Sequence, residues 1–205
     1  MQDHLSTVKV EISARHAHLS KEDFITLFGK EEMTKKKDLF QPGQFVCEEF
    51  VEVIGPKNSF GRFAIIGPFR KESQVEISMT DSFTLGIDAV IRESGVLADT
   101  PGCILKGTAG MVALDHGVIV SKRHVHLTPE TARDMQLTDG EIVNVLLESD
   151  ERQAIFGDVV ARVSSSYLDA VHIDTDEANA CGLSVLSRKQ PGYELTGRII
   201  RGALV

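Results

Sequence analysis

The sequence predicts a mainly β protein, antiparallel barrels or a sandwich, with a few short α-helices. Three observations carry that reading. Short runs rich in Val, Ile and Phe recur along the chain and are punctuated by Gly and Pro turns. The chain also repeats itself: "VEISARHAHLS" and "VIVSKRHVHLT" each read as a strand entering Arg-His-x-His-Leu and then a hydroxyl residue. Finally, strands at this spacing point away from βαβ units, which would need a long helical period between them.

Taken in order, the first copy runs from Val10 to Leu27. Ser20 is placed to cap a helix, with Asp23 three residues on. Phe24, Ile25, Leu27 and Phe28 supply its apolar face, and Gly29 stops it. A turn at residues 41–45 feeds the strand "CEEFVEVIG", closed by Gly55-Pro56-Lys57. "GRFAIIGPFR" is a further strand running into Gly67-Pro68. In "SQVEIS" Val75 and Ile77 share one face, while Gln74, Glu76 and Ser78 share the other. The second copy runs from Val118 to Met135. Thr128 caps its helix, Pro129 takes the first helical position, and the helix is expected to reach about Gln136. Three strands follow, "EIVNVLLES", "QAIFGDVVARVS" and "YLDAVHID". A helix is expected from Asp176 to Cys181, ended by Gly182. The natural seam lies just before the second heptad, near Ser121.

The 205 residues suit one large domain or two small ones. Apolar residues at 42% and charged residues at 25% are those of an ordinary globular chain. The longest apolar runs are far too short to span a bilayer. The N-terminal "MQDHLSTVKVEIS" lacks the basic-then-apolar pattern of a secretory signal, so the cytoplasm is the expected location. Cys47, Cys103 and Cys181 are odd in number, widely spaced and form no C-x-x-C pair, which predicts buried, reduced thiols and argues against a disulfide framework or thiolate zinc finger. A net charge of −8 argues against nucleic acid or an anionic membrane as partner. Small anionic ligands would need a local cationic site.

The His-x-His pair carries the chemistry. The chain holds seven histidines, and the two heptads use four of them. At that composition about a quarter of one His-x-His is expected by chance, so two in a shared frame are informative. Residues i and i+2 of a strand project to one face about 6.5–7 Å apart, close enough for both imidazoles to reach one cation. Zinc takes neutral histidine nitrogen, and a catalytic site uses three protein ligands. Each heptad therefore supplies two-thirds of a site. His172, at a strand end before a helix, is a candidate third ligand. A carboxylate would complete the other set, and spacing does not choose among the 30 Asp and Glu residues; Glu76 is one of several. Arg15 and Arg123 point to the opposite face from the histidines and read as ion-pair or packing residues. Arg70, after the Gly-Pro turn, has the planar fork that suits phosphate or carboxylate. Both heptads also read His-x-His-x-x-x-Glu, a cupin metal motif. Against a cupin, the upstream glycine is replaced by Val10 and Val118, and Glu22 and Glu130 fall in expected helices.

Collinear blocks then make the sequence resemble the phosphate propanoyltransferases, the PduL-type phosphotransacylases. They are "VEISARHAHLS", "KDLFQPGQFVCEE", "IIGPFRKESQVEISMTD", "IRESGVLADTPG", "GVIVSKRHVHLTPE" and "HIDTDEANACGL". The resemblance implies two six-stranded antiparallel β-barrels capped by short helices, with the active site between the barrels. Residues 15–121 would form the central barrel, and 122–205 the C-terminal barrel completed by an N-terminal strand at 6–14. Two zinc ions per chain are implied, one on His16, His18 and Glu76 and the other on His124, His126 and His172. Arg70 corresponds to the phosphate-binding, catalytic arginine, and Ser94 falls in a segment lining the coenzyme A site. The implied reaction interconverts acyl-CoA (propanoyl or acetyl) plus phosphate with acyl phosphate plus CoA. A homo-oligomer, a dimer, is also expected. Relatives in bacterial microcompartments carry an amphipathic N-terminal extension. Only about eight residues precede the first strand here, too few for a stable helix, so the expected place is the cytoplasm, or a compartment lumen for a chain shorn of that extension. Two other readings use the same ligands: a cupin-like or binuclear metal hydrolase or oxygenase, and a metal-binding structural protein without turnover.

Overall fold

The computed structural model describes residues 6–13, 15–190 and 192–201. The start of the stretch read for a leader (1–5), Ala14 at the end of the expected first strand, and the end of the C-terminal unit (202–205) lie outside the described residues. The chain divides into two compact units, Ala14–Ser121, and Met1–Ser13 together with Lys122–Val205.

The second of these units is a closed six-stranded barrel. Its first strand, β1 (Ser6–Ser13), comes from the far end of the chain. In the first unit follow β2 (His16–His18), α1 (Lys21–Phe28), β3 (Lys35–Asp38), β4 (Phe45–Ile54), β5 (Ser59–Gly67) and β6 (Gln74–Glu76). That unit continues through α2 (Met79–Leu85), β7 (Val90–Arg92), β8 (Cys103–Lys106), β9 (Met111–Leu114) and β10 (Val118–Ser121). The barrel then takes β11 (His124–Leu127), α3 (Pro129–Asp134), β12 (Ile142–Glu148), β13 (Gln153–Val163) and β14 (Ala170–Asp174). It ends with α4 (Thr175–Ala180), α5 (Leu183–Lys189) and β15 (Thr196–Ile200). The barrel order is β1-β14-β11-β13-β12-β15. Val8 and Val10 of β1 enter a core with Val125, Leu127, Val145, Leu147, Val171 and Ile199, all under a tenth exposed. Val10 N–H also donates to the Leu195 carbonyl at 2.8 Å.

The first unit holds a nine-stranded sheet ordered β7-β10-β6-β2-β5-β4-β8-β9, with β3 paired on β4. Phe24, Leu27, Phe63, Ile65, Leu85 and Leu105 fill its core, each at most 1% exposed. Two six-stranded antiparallel barrels are therefore replaced by one closed barrel and one nine-stranded sheet, both mixed. The reason lies beside the histidine strands. β2 runs parallel to β5 and antiparallel to β6, and β11 runs parallel to β13 and antiparallel to β14. A parallel neighbour needs a crossover connection, supplied by α1-β3-β4 in one unit and by α3-β12 in the other. Residue alternation reveals a strand's faces and not the direction of its neighbour.

The helix starts follow their caps. Ser20 accepts from Asp23 N–H, and Thr128 from Thr131 N–H with Pro129 at the first position. Gly29 closes α1 in the left-handed region at φ 66°, which costs a glycine little. The second helix ends two residues before Gln136. After the expected helix at Asp176, found as Thr175–Ala180, Gly182 at φ 77° opens α5 as well as stopping α4. Among the described residues no helix is long and apolar enough to cross a membrane.

Candidate metal and substrate centre

In β2 the period-2 pleat sends Ala17 into the core and His16 and His18 to the other face. β6 lies antiparallel beside it, so His16 faces Glu76 and His18 faces Gln74 across the ladder. The face of "SQVEIS" that reads as polar is thus not a solvent face: Gln74, Glu76 and Ser78 are all buried. The ligand atoms of His16, His18 and Glu76 lie within 4.8 Å of one another. His16 Nε2 stands 3.6 Å from Glu76 Oε2, and His18 Nε2 stands 3.9 Å from Oε1.

The barrel builds the second set in the same register. His124 faces His172 across β11 and β14, and His126 faces Ala170. Their ligand atoms also converge within 4.8 Å. The rings of His124 and His172 stack at 4.8 Å, and Tyr167 stacks on His126 at 4.0 Å.

The hydrogen bonds fit a metal. The Ile66 carbonyl only accepts, so His18 Nδ1 donates to it at 3.0 Å, leaving Nε2 as a lone pair. His124 Nδ1 donates likewise to the Lys122 carbonyl at 2.9 Å. Such carbonyl partners orient metal-binding imidazoles. The buried Nδ1 of His126 has no hydrogen-bond partner among the described residues. Burial, reinforced by His16 and Arg70, pushes His18 down to about 3. Burial with His124 and Arg162 does the same to His126. Both are neutral at physiological pH, the form that coordinates. Burial alone would raise Glu76; His16, His18 and the Ser94 hydrogen bond outweigh it and hold the carboxyl well below its usual range.

Arg70 follows the cis Gly67–Pro68 peptide, and its backbone N–H is held by the Leu19 carbonyl at 2.9 Å. Its Nη2 donates to His18 Nε2 at 3.1 Å and its Nη1 to Ser94 Oγ at 3.0 Å. Ser94 Oγ in turn donates to Glu76 Oε1 at 3.0 Å. Arg70, Ser94, Glu76 and His18 therefore form one connected group.

Behind each set sits an ion pair. Arg15 grips Asp81 through two bonds of 2.9 and 2.6 Å, and Arg123 Nε meets Glu177 at 3.2 Å. Each arginine precedes the first histidine of its strand. Each carboxylate occupies the third position of the helix that follows the third ligand, inside a capping box. Sequence reasoning assigned the arginines to ion pairs but missed both partners, together with Gln74 and Tyr167. A signal existed: Asp81 and Glu177 stand at the same offset from Glu76 and His172, and Gln74 shares a strand face with Glu76. Glu22 and Glu130, the cupin-motif carboxylates, are exposed on α1 and α3 and belong to neither set.

A family model described as phosphate propanoyltransferase matches residues 9–184. A phosphate propanoyltransferase of Enterococcus faecalis is 50% identical over 195 residues, covering 95% of this chain and 90% of that protein. One from Leptotrichia buccalis is 51% identical over 177 residues, 86% of this chain and 83% of that protein. One from Thermotoga maritima is 46% identical over 176 residues, 85% and 84% respectively.

Proposed function

The chain belongs to the phosphate propanoyltransferase family, acyltransferases that exchange coenzyme A for phosphate on an acyl group, and we propose that it does so with zinc held by two residue sets. His16, His18 and Glu76 would hold one ion, and His124, His126 and His172 the other. The observation that carries this reading is the connected group of Arg70, Ser94, Glu76 and His18, an anion-binding fork beside a metal-type ligand set. Arg70 occupies the His18 Nε2 lone pair here and would release it for an ion, turning the fork to phosphate.

The reaction needs phosphate brought to a thioester carbonyl, with relief of the charge that builds on that oxygen. Zinc, when bound, would supply Lewis acidity for the oxyanion and affinity for the departing thiolate. Arg70 binds and orients phosphate by charge-assisted hydrogen bonds, a local positive site within a chain of net charge −8. Ser94 belongs to the turn assigned to the coenzyme A side. Its hydroxyl is engaged by Glu76, Arg70 and Gln74, so it acts by aiming the arginine. The cysteines supply no nucleophile, because all three are buried and burial pushes Cys47 and Cys103 up to about 12. With no cysteine placed to accept the acyl group, we propose direct attack by phosphate on the thioester carbonyl, the thiolate of coenzyme A leaving, with propanoyl-CoA or acetyl-CoA as acyl donor.

The test is release of coenzyme A thiol from propanoyl-CoA, with and without phosphate, before and after chelation. Release that requires both phosphate and metal is expected. Release without phosphate would mean thioester hydrolysis and would remove Arg70 from its role. An Arg70→Ala variant should keep its metal and lose the phosphate-dependent rate by about 100-fold or more.

A further inference from the structure

The two ligand sets differ in the third ligand, Glu76 against His172, and in one neighbour beside it. Across the strand pair from the second histidine stands Gln74 in the first unit and Ala170 in the barrel. Gln74 is 1% exposed and fully engaged. Its Nε2 donates to Glu76 Oε1 at 2.6 Å and to Ser94 Oγ at 2.9 Å, and its Oε1 accepts from Gly95 N–H at 2.7 Å.

The difference follows the third ligand. Glu76 has three side-chain torsions and His172 two, so a carboxylate needs more holding to stay aimed. Glu76 Oε1 is taken by two donors, Gln74 Nε2 and Ser94 Oγ, which leaves Oε2 as the oxygen turned toward His16 Nε2. In the barrel, the His172 ring lies against His124 at an interplanar angle of 12°, and an alanine suffices opposite His126. A primary amide suits position 74 because it donates to a carboxylate and a hydroxyl while accepting from a backbone N–H.

We propose that Gln74 is the positioning residue of the first metal set, locking Glu76 so that Oε2 is its ligating atom and fastening that carboxylate to the Ser94–Gly95 turn that aims Arg70. The inference rests on the reading of His16, His18 and Glu76 as a metal set. Partners that orient a ligand are typically worth 10–100-fold in metal affinity.

The experiment is a zinc titration against a chromophoric chelator on the whole protein, with wild type, Glu76→Ala, Gln74→Met and Gln74→Ala. Circular dichroism and melting identify folded variants; methionine keeps the glutamine's length if alanine does not fold. Wild type should bind two equivalents and Glu76→Ala one. Gln74→Met should bind two, with the site lost in Glu76→Ala weakened about 10–100-fold and the other within about twofold. Wild-type constants at both sites would overturn the proposal, as would equal weakening of both, which marks general loosening. Two equivalents retained by Glu76→Ala would instead sink the metal set itself, before any Gln74 variant is considered.

Discussion

Replacing Arg15 with methionine tests whether the ion pair behind the first ligand set holds that part of the fold. The Asp81 side chain is 6% exposed and its two short bonds both come from Arg15. What remains is the Ser78 N–H at 3.4 Å, a long contact. Breaking a fully buried pair costs about 3–5 kcal/mol because the abandoned charge stays buried. Arg15 is 45% exposed, so solvent already screens the pair and water can reach the gap; about 2–3 kcal/mol is the expected loss. Methionine keeps the stem over the Phe60 ring, which the guanidinium covers at 3.8 Å, so packing loss is limited. The assay is equilibrium unfolding in urea of Arg15→Met, Asp81→Asn and the double variant. The double variant should recover part of the loss, giving a coupling energy of about 1–2 kcal/mol. A loss under about 0.5 kcal/mol, no larger than for the exposed control Lys71→Met, would refute the reasoning. Arg123→Met should cost less: its Glu177 contact is single at 3.2 Å, and burial pushes that carboxyl up to about 7, so the pair is only partly charged near neutrality.

Glu49 gives a pH-dependent test. Burial opposes its charge, but bonds from Thr34 and Lys30 prevail and depress its pKa, so its stabilising contribution is full above the ordinary carboxylate range and fades as pH falls through the depressed value. Glu49→Gln should destabilise by about 2 kcal/mol at pH 7, and the gap from wild type should close in acid; a gap independent of pH would contradict it. With Cys47, Cys103 and Cys181 buried and their thiols held protonated, dithiobis-nitrobenzoate at pH 8 should label none in the native protein and three after unfolding. One thiol titrating quickly in the native state would show a breached core. Deleting residues 6–13 removes Val8 and Val10 from the barrel core and opens its ladder. The variant should lose near-ultraviolet dichroism and bind a hydrophobic dye, whereas a native-like melt would deny β1 its closing role.

What was legible in the sequence was local. Ser20 with Asp23, Pro129 after Thr128, and Gly29 are signals spanning a few residues, and the helices begin where those signals stand. The His-x-His pairs were legible because a pleat needs only two residues to bring side chains to one face. Glu76 was not distinguishable from other carboxylates by spacing, because its meeting with His16 depends on a ladder between strands far apart in the chain. The parallel pairings were hidden for the same reason. Helix α2 was missed although Ser78 and Asp81 form a capping box, since Ser78 also continues the alternation of the strand before it. The resemblance to a family implied Glu76 as the carboxylate that spacing left open.

The origin of β1 has a consequence for synthesis. Ser6 pairs with Ile199, and Lys9 with Ala170. At about 5–20 residues per second, roughly 10–40 s separate translation of the strand from translation of the last strand it must join. Through that interval Val8 and Val10 have no barrel to enter, while residues 14–121 can already condense. Lys9 and Glu11, alternating with those valines and paired at 2.8 Å in the finished barrel, place charges on the waiting strand. Such charges discourage a bare edge from pairing with neighbouring chains. The same alternation that seats the valines in the barrel thus guards the nascent chain until its last strand arrives.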